Sequence, residues 1–164
     1  MYAIAVSAAC QATYNLKCIT EPQITLGPQE IIDCVHEKFE HSKKTMEDVD
    51  KKSCMLSSTR KSLTYVTNYG IIILSKREDV FIPRLKLKNF TMVPTNYAEK
   101  IIINLINCHP ITGVIKTTQE FIELENEIFT GPINEYSHLY GSHTMLVVGY
   151  GEEDGEKFYW VRNS

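Results

Sequence analysis

The chain has 164 residues, 43% of them hydrophobic, a formal net charge of -3 and a pI near 6.0, enough apolar material for one moderate core or two small packed layers. Its charge gives no broad basic field for nucleic acid, and Arg84, Lys86 and Lys88 read as ordinary solvated surface. No apolar run nears the roughly 18 residues needed to cross a bilayer, and the five cysteines form no close metal-ligand pair.

The segment Tyr2 to Tyr14 is apolar almost all round, the composition of a helix buried on most faces. The overlapping stretch Met1 to Cys10 is apolar but has no basic leader and passes straight into this helical pattern, so it does not read as a signal peptide. A second short helix is expected from Gln29 to about His36, opened by Gly27-Pro28, because a proline in the first turn loses no helical hydrogen bond. Glu37 to Ser53 is charged and lacks an apolar face, which predicts a solvated loop or frayed helix. A third helix is expected from Ser57 to Asn68, closed by Gly70, followed by an extended Ile71 to Leu74. Thr95 can cap a fourth over about Asn96 to Ile106, stopped before Pro110.

Beyond Pro110 the texture changes to short strands separated by Gly, Pro and Asp turns. They are expected at Ile111 to Lys116, Glu127 to Thr130, Thr144 to Tyr150 and Phe158 to Arg162. Helices first and strands afterwards predict an α+β fold with two segregated layers. There is no internal repeat.

The sharpest signal lies near the end. Gly141-Ser142-His143-Thr144-Met145-Leu146-Val147-Val148-Gly149-Tyr150-Gly151 resembles the catalytic-histidine strand of papain-like cysteine peptidases, and Tyr159-Trp160-Val161-Arg162-Asn163-Ser164 resembles the strand ending in their catalytic asparagine. Glu127-Ile128-Phe129-Thr130-Gly131-Pro132, Pro110-Ile111-Thr112-Gly113-Val114-Ile115 and Gln29-Glu30-Ile31-Ile32-Asp33-Cys34 resemble further family segments in the same order. A histidine before an apolar strand is usually structural; the collinear set reverses that reading.

The resemblance implies a papain-like two-layer fold over residues 1–164, helical over 1–90 and an incomplete antiparallel β-barrel over 91–164. It places His143 as the catalytic imidazole and Asn163 as the residue that orients it. Met1-Tyr2-Ala3-Ile4-Ala5 matches the family's Cys-Trp-Ala-Phe helix start in register, which puts Met1 at the nucleophile's position. In the family a cysteine at a helix N-terminus is held as thiolate and attacks the peptide carbonyl. Methionine's thioether has no proton to lose and forms no stable acyl-enzyme. The oxyanion-hole glutamine upstream of the nucleophile has no counterpart in the sequence.

The substrate cleft departs as well, since Cys54-Met55-Leu56-Ser57 replaces the family's Cys-x-Gly-Gly, and side chains at Leu56 and Ser57 would crowd an approaching peptide backbone. Val114 corresponds to the main specificity pocket, with Ser142, Thr144 and Met145 flanking the histidine; plain barrel core is the competing reading for Val114 and Met145. Family disulfide partners are missing for Cys34 and Cys54. The sequence stops before the family's Trp-Gly, which would leave the histidine–asparagine bond exposed to solvent, with a sheet edge and an apolar face open beside it.

No cofactor or metal is implied. The partners implied are a polypeptide substrate or a pro-segment, with no nucleic acid and no membrane, and the chain is expected to be a monomer. The family's compartments are the lysosome, the vacuole and the extracellular space. Three readings stand: a peptidase homologue inactive as written, a non-catalytic binder of peptides or pro-segments, and an active enzyme whose cysteine lies upstream of Met1.

Overall fold

The computed structural model describes residues 2–39, 58–76, 82–94, 99–124, 127–134 and 136–163. Met1, Cys54, Leu56, Ser57 and most of the Glu37 to Ser53 stretch lie outside the described residues.

Helix α1 (Tyr2–Lys17) runs longer than the apolar pattern alone suggests, because its polar last turns have their own work. The Asn15 side chain accepts from the Ile24 amide at 2.9 Å and donates to the Ile24 carbonyl at 3.2 Å. Gln11 accepts from the Leu26 amide. These bonds satisfy the backbone of an extended segment that would otherwise lie against a helix with unpaired polar groups.

Helix α2 (Pro28–Phe39) starts on the expected proline. In α3 (Thr59–Tyr69), Ser58 caps the Lys61 amide and Gly70 closes the end at φ 76°. That conformation suits glycine, and an added Cβ would stand 2.9 Å from the Leu85 carbonyl oxygen. The three helices meet around Ala3, Val6, Ile31, Val35, Tyr65, Val66 and Ile71, all buried in one core cluster. This is the helical layer, and its packing rests on apolar burial.

A small two-stranded sheet edges that layer, β1 (Ile71–Ile72) against β2 (Arg84–Leu85). Glu30 on α2 ties it down: its carboxylate accepts from Tyr65 Oη at 2.8 Å, from the Ile72 amide at 2.9 Å and from the Arg84 guanidinium. Burial, with the Glu30 bond, pushes the Tyr65 phenol up from its ordinary value. Three elements are thereby fixed to one carboxylate.

Helix α4 (Glu99–Cys108) opens the second half, followed by β3 (Ile111–Thr118), the short α5 (Gln119–Glu123), β4 (Leu139–Glu153) and β5 (Glu156–Arg162). The strands form one antiparallel sheet in the order β3-β4-β5, and the described residues contain no closed barrel. The architecture is α+β, as expected. The anticipated strand Glu127 to Thr130 pairs with no other strand among the described residues. It is anchored by a side chain instead, Phe129 meeting Phe121 edge-on at 5.1 Å between ring centroids.

The glycines of β4 have a packing reason. Trp160 and Phe158, paired across from Gly149 and Gly151, lay their rings over the glycine positions. A Cβ on Gly151 would fall 2.6 Å from the Phe158 ring, which is itself held edge-on by Trp160 at 5.1 Å. Helix α1 packs on both β4 and β3, which joins the sheet to the helical layer, and α4 packs on β4.

Candidate active site

The antiparallel pairing of β4 with β5 brings His143 and Asn163 together although they are 20 residues apart, with His143 Nε2 2.5 Å from Asn163 Oδ1. A carbonyl oxygen only accepts, so the imidazole donates through Nε2, and the neutral tautomer keeps Nδ1 as the free base. This is the arrangement an orienting asparagine gives to a general base.

His143 is only 7% exposed, whereas Asn163 is exposed. The bond is therefore shielded on the histidine side, which departs from the expectation that it stands open to solvent. Phe121 supplies an aromatic face there, its ring centroid 6.2 Å from the imidazole. Nothing in the sequence pattern singled out Phe121, because it is one aromatic residue in a five-residue helix and its contact depends on how α5 folds back from β3.

The loop ahead of β4 is fixed to the same helix. Glu120 accepts from the Ser137 hydroxyl and from the Ile133 amide, and the Ser137 bond foremost holds its carboxyl down at about 2. Tyr140 donates to Gln119. A hollow of about 500 Å³ beside α5 is lined by Glu120, Glu123, Glu127, Phe129 and neighbouring residues; His143, Asn163, Val114 and Ser142 do not line it.

The second cluster of candidate residues lies on one face of the sheet. Thr144 Oγ1 meets Thr59 Oγ1 of α3 at 3.1 Å in a buried contact, so the Thr144 side chain points at the helical layer. Val114 is the register partner of Thr144, and Lys116 of Ser142. Direct partners share a face, as do residues two apart. Thr112, Val114, Lys116, Ser142, Thr144 and Leu146 therefore share that face, and His143 points the other way, toward Phe121 and Asn163.

Coverage along this face ends abruptly. Leu146 and Thr144 are buried, Thr144 to 8% exposure, while Val114 is 56% exposed and Lys116 and Ser142 are exposed. Met145, on the other face, is 3% exposed and is plain core, whereas Val114 is not. The Thr144 hydroxyl is committed to Thr59. The structure brings Val114 and Ser142 together at the border with α3, and Leu56, Ser57 and Met1 lie outside the described residues.

No thiol among the described residues replaces the family's nucleophile at this site. Burial pushes the Cys10 thiol up to about 12. Cys18, Cys34 and Cys108 are likewise free thiols rather than disulfide halves. The described residues hold no group of His, Cys, Asp and Glu able to bind a metal ion, and no helix among them is long and apolar enough to cross a membrane.

Comparison with known proteins converges on one family. The chain is 23% identical to chymopapain of Carica papaya over 160 residues, covering 90% of this chain and 40% of that protein. It is 33% identical to "Probable cysteine protease RDL6" of Arabidopsis thaliana over 82 residues, covering 49% of this chain and 21% of that protein. The chain thus spans less than half the length of both relatives. A Carica candamarcensis cysteine protease solved in complex with E-64 superimposes with a TM-score of 0.65 at 21% identity, over 99% of this chain and 79% of that one. The family model described as "Papain family cysteine protease" matches residues 2–164, and the chain belongs to the papain family of cysteine proteases.

Proposed function

We propose that this chain is a papain-type peptidase homologue that does not hydrolyse peptide bonds as written, because methionine stands where the family's cysteine nucleophile stands. The observation that carries the reading is the His143–Asn163 pair at 2.5 Å. It retains a general base with its orienting partner in a chain whose Met1 offers no thiolate for that base to activate. His143 is assigned as the imidazole and Asn163 as its orienter. Residues 1–164 are taken as belonging to one peptidase domain, mainly helical over 1–90 and mainly β over 91–164.

The test is covalent. An epoxide-type cysteine-peptidase inhibitor should add no mass to the folded chain. A Met1→Cys variant carrying an upstream Gln-Gly-Ser-Cys-Gly-Ser extension and a restored Trp-Gly end should gain one inhibitor adduct. A single adduct on the unmodified chain would overturn the reading.

A second reading is favoured by the exposed Val114 and Ser142 on the sheet face beside α3. An apolar side chain left open at the border of two layers is a place where a polypeptide can lie. In this reading the cleft binds an extended peptide or a pro-segment without cutting it, as a monomer, in the lysosomal, vacuolar or extracellular setting of the family. Val114 and Ser142, with Leu56 and Ser57, would contact the ligand, while Thr144 supports the wall from behind.

A further inference from the structure

We propose that Lys116 is a specificity determinant, selecting extended polypeptide segments that carry an acidic side chain two residues from an apolar one. The inference rests on the peptide-cleft reading above and names the ligand class of that cleft.

The register carries it. Val114 and Lys116 are two residues apart on β3, before the irregularity between Thr117 and Thr118, and face the same side as the Thr144 hydroxyl that meets Thr59. This face is buried at Leu146 and at Thr144, the latter against Thr59 of α3, and is open at Val114, Lys116 and Ser142. An ammonium thus stands beside an open apolar side chain, at the spacing of alternate side chains in an extended chain, roughly 6–7 Å. A peptide running alongside β3 matches that spacing with its own alternate residues, one apolar over Val114 and one acidic over Lys116.

The charge is available. Among the described residues Lys116 has no ion-pair or hydrogen-bond partner, in contrast to the basic residues of the Glu30–Arg84 and Glu99–Lys157 pairs. The next carboxylates along the chain, Glu120 and Glu123, sit on α5 and accept from Ser137 and Gln119. Ser142, directly across from Lys116, adds an exposed hydroxyl able to donate to the same carboxylate.

The experiment uses fluorescence polarisation of the full chain with fluorescein-labelled peptides of sequence Gly-Ser-Leu-Ala-Glu-Ser-Gly and Gly-Ser-Glu-Ala-Leu-Ser-Gly, which cover both directions, and their Gln and Lys counterparts. At low salt one glutamate peptide should bind about two- to five-fold tighter than its glutamine counterpart, the range of an exposed ion pair. Lys116→Gln should abolish that ratio and Lys116→Glu should invert it toward the lysine peptide, with circular dichroism confirming the fold. Lys88→Gln, at a residue that belongs to none of the strands β3, β4 and β5, should leave it unchanged. Equal binding of glutamate and glutamine peptides, or a glutamate preference that survives Lys116→Glu, would overturn the role of Lys116 while leaving the cleft reading intact. If none of the peptides binds saturably, the cleft reading itself falls, and this inference with it.

Discussion

Asn163 Oδ1 accepts from His143 Nε2 across the β4–β5 ladder at 2.5 Å, and that single bond decides which ring nitrogen is left to act as a base. ¹⁵N NMR of the histidine side chains should show the neutral form of His143 with a protonated Nε2 and a pyridine-like Nδ1. Asn163→Ala should release the tautomer to a mixture. A protonated Nδ1 in the unmodified chain would contradict the assignment.

The Thr59–Thr144 contact joins the layers through buried hydroxyls 85 residues apart. Thr144→Val leaves the Thr59 hydroxyl without this partner and should cost about 1–3 kcal/mol in urea unfolding, whereas replacing both threonines by valine should recover much of the loss. Strictly additive costs in the double variant would mean that the two side chains do not interact.

Two glycines should respond differently to alanine. At Gly70 the backbone has φ 76° and an added Cβ would meet a carbonyl oxygen at 2.9 Å, so Gly70→Ala should destabilise by about 2 kcal/mol or more. At Gly151 the obstacle is the far end of the Phe158 ring, which can tilt at the expense of its contact with Trp160. Gly151→Ala should cost about 1 kcal/mol. Thermal or urea unfolding gives the order, and the reverse order would refute the argument from backbone strain.

Thiol reactivity separates core from surface. Cys108 is exposed and Cys10 is buried, with its thiol pushed up by burial to about 12. Iodoacetamide at pH 8 should alkylate Cys108 in the native chain and reach Cys10 only on unfolding, as mass mapping of the digested chain would show. Native labelling of Cys10 would mean that α1 is not buried as described.

The helices were largely legible because their signals are local. Pro28 stands at the start of α2 and Gly70 at the end of α3, each acting through its own backbone. The order of His143 and Asn163 within apolar, glycine-punctuated strands was equally visible, since strand periodicity and turn residues lie within a few positions of each. What escaped is non-local. Arg84 has the sequence context of solvated surface but reaches Glu30, 54 residues away, and Phe121 reaches His143 only after α5 turns back on β3. Glu127 to Thr130 carries strand-like residues but finds no ladder, because strand propensity records fit to a sheet rather than the presence of one. Val114 could be read as core or as cleft until the register with Thr144 showed where the helical layer stops.

The most direct test of the central claim is hydrolysis of a fluorogenic dipeptide substrate by the folded chain and by the variant with Met1→Cys, the upstream extension and the restored Trp-Gly end, each with and without an epoxide-type inhibitor. The account predicts no inhibitor-sensitive turnover in the unmodified chain and measurable turnover in the repaired one, falling by about 10²-fold or more when His143 is also replaced by alanine. Inhibitor-sensitive turnover by the unmodified chain, or repaired turnover indifferent to His143, would contradict it.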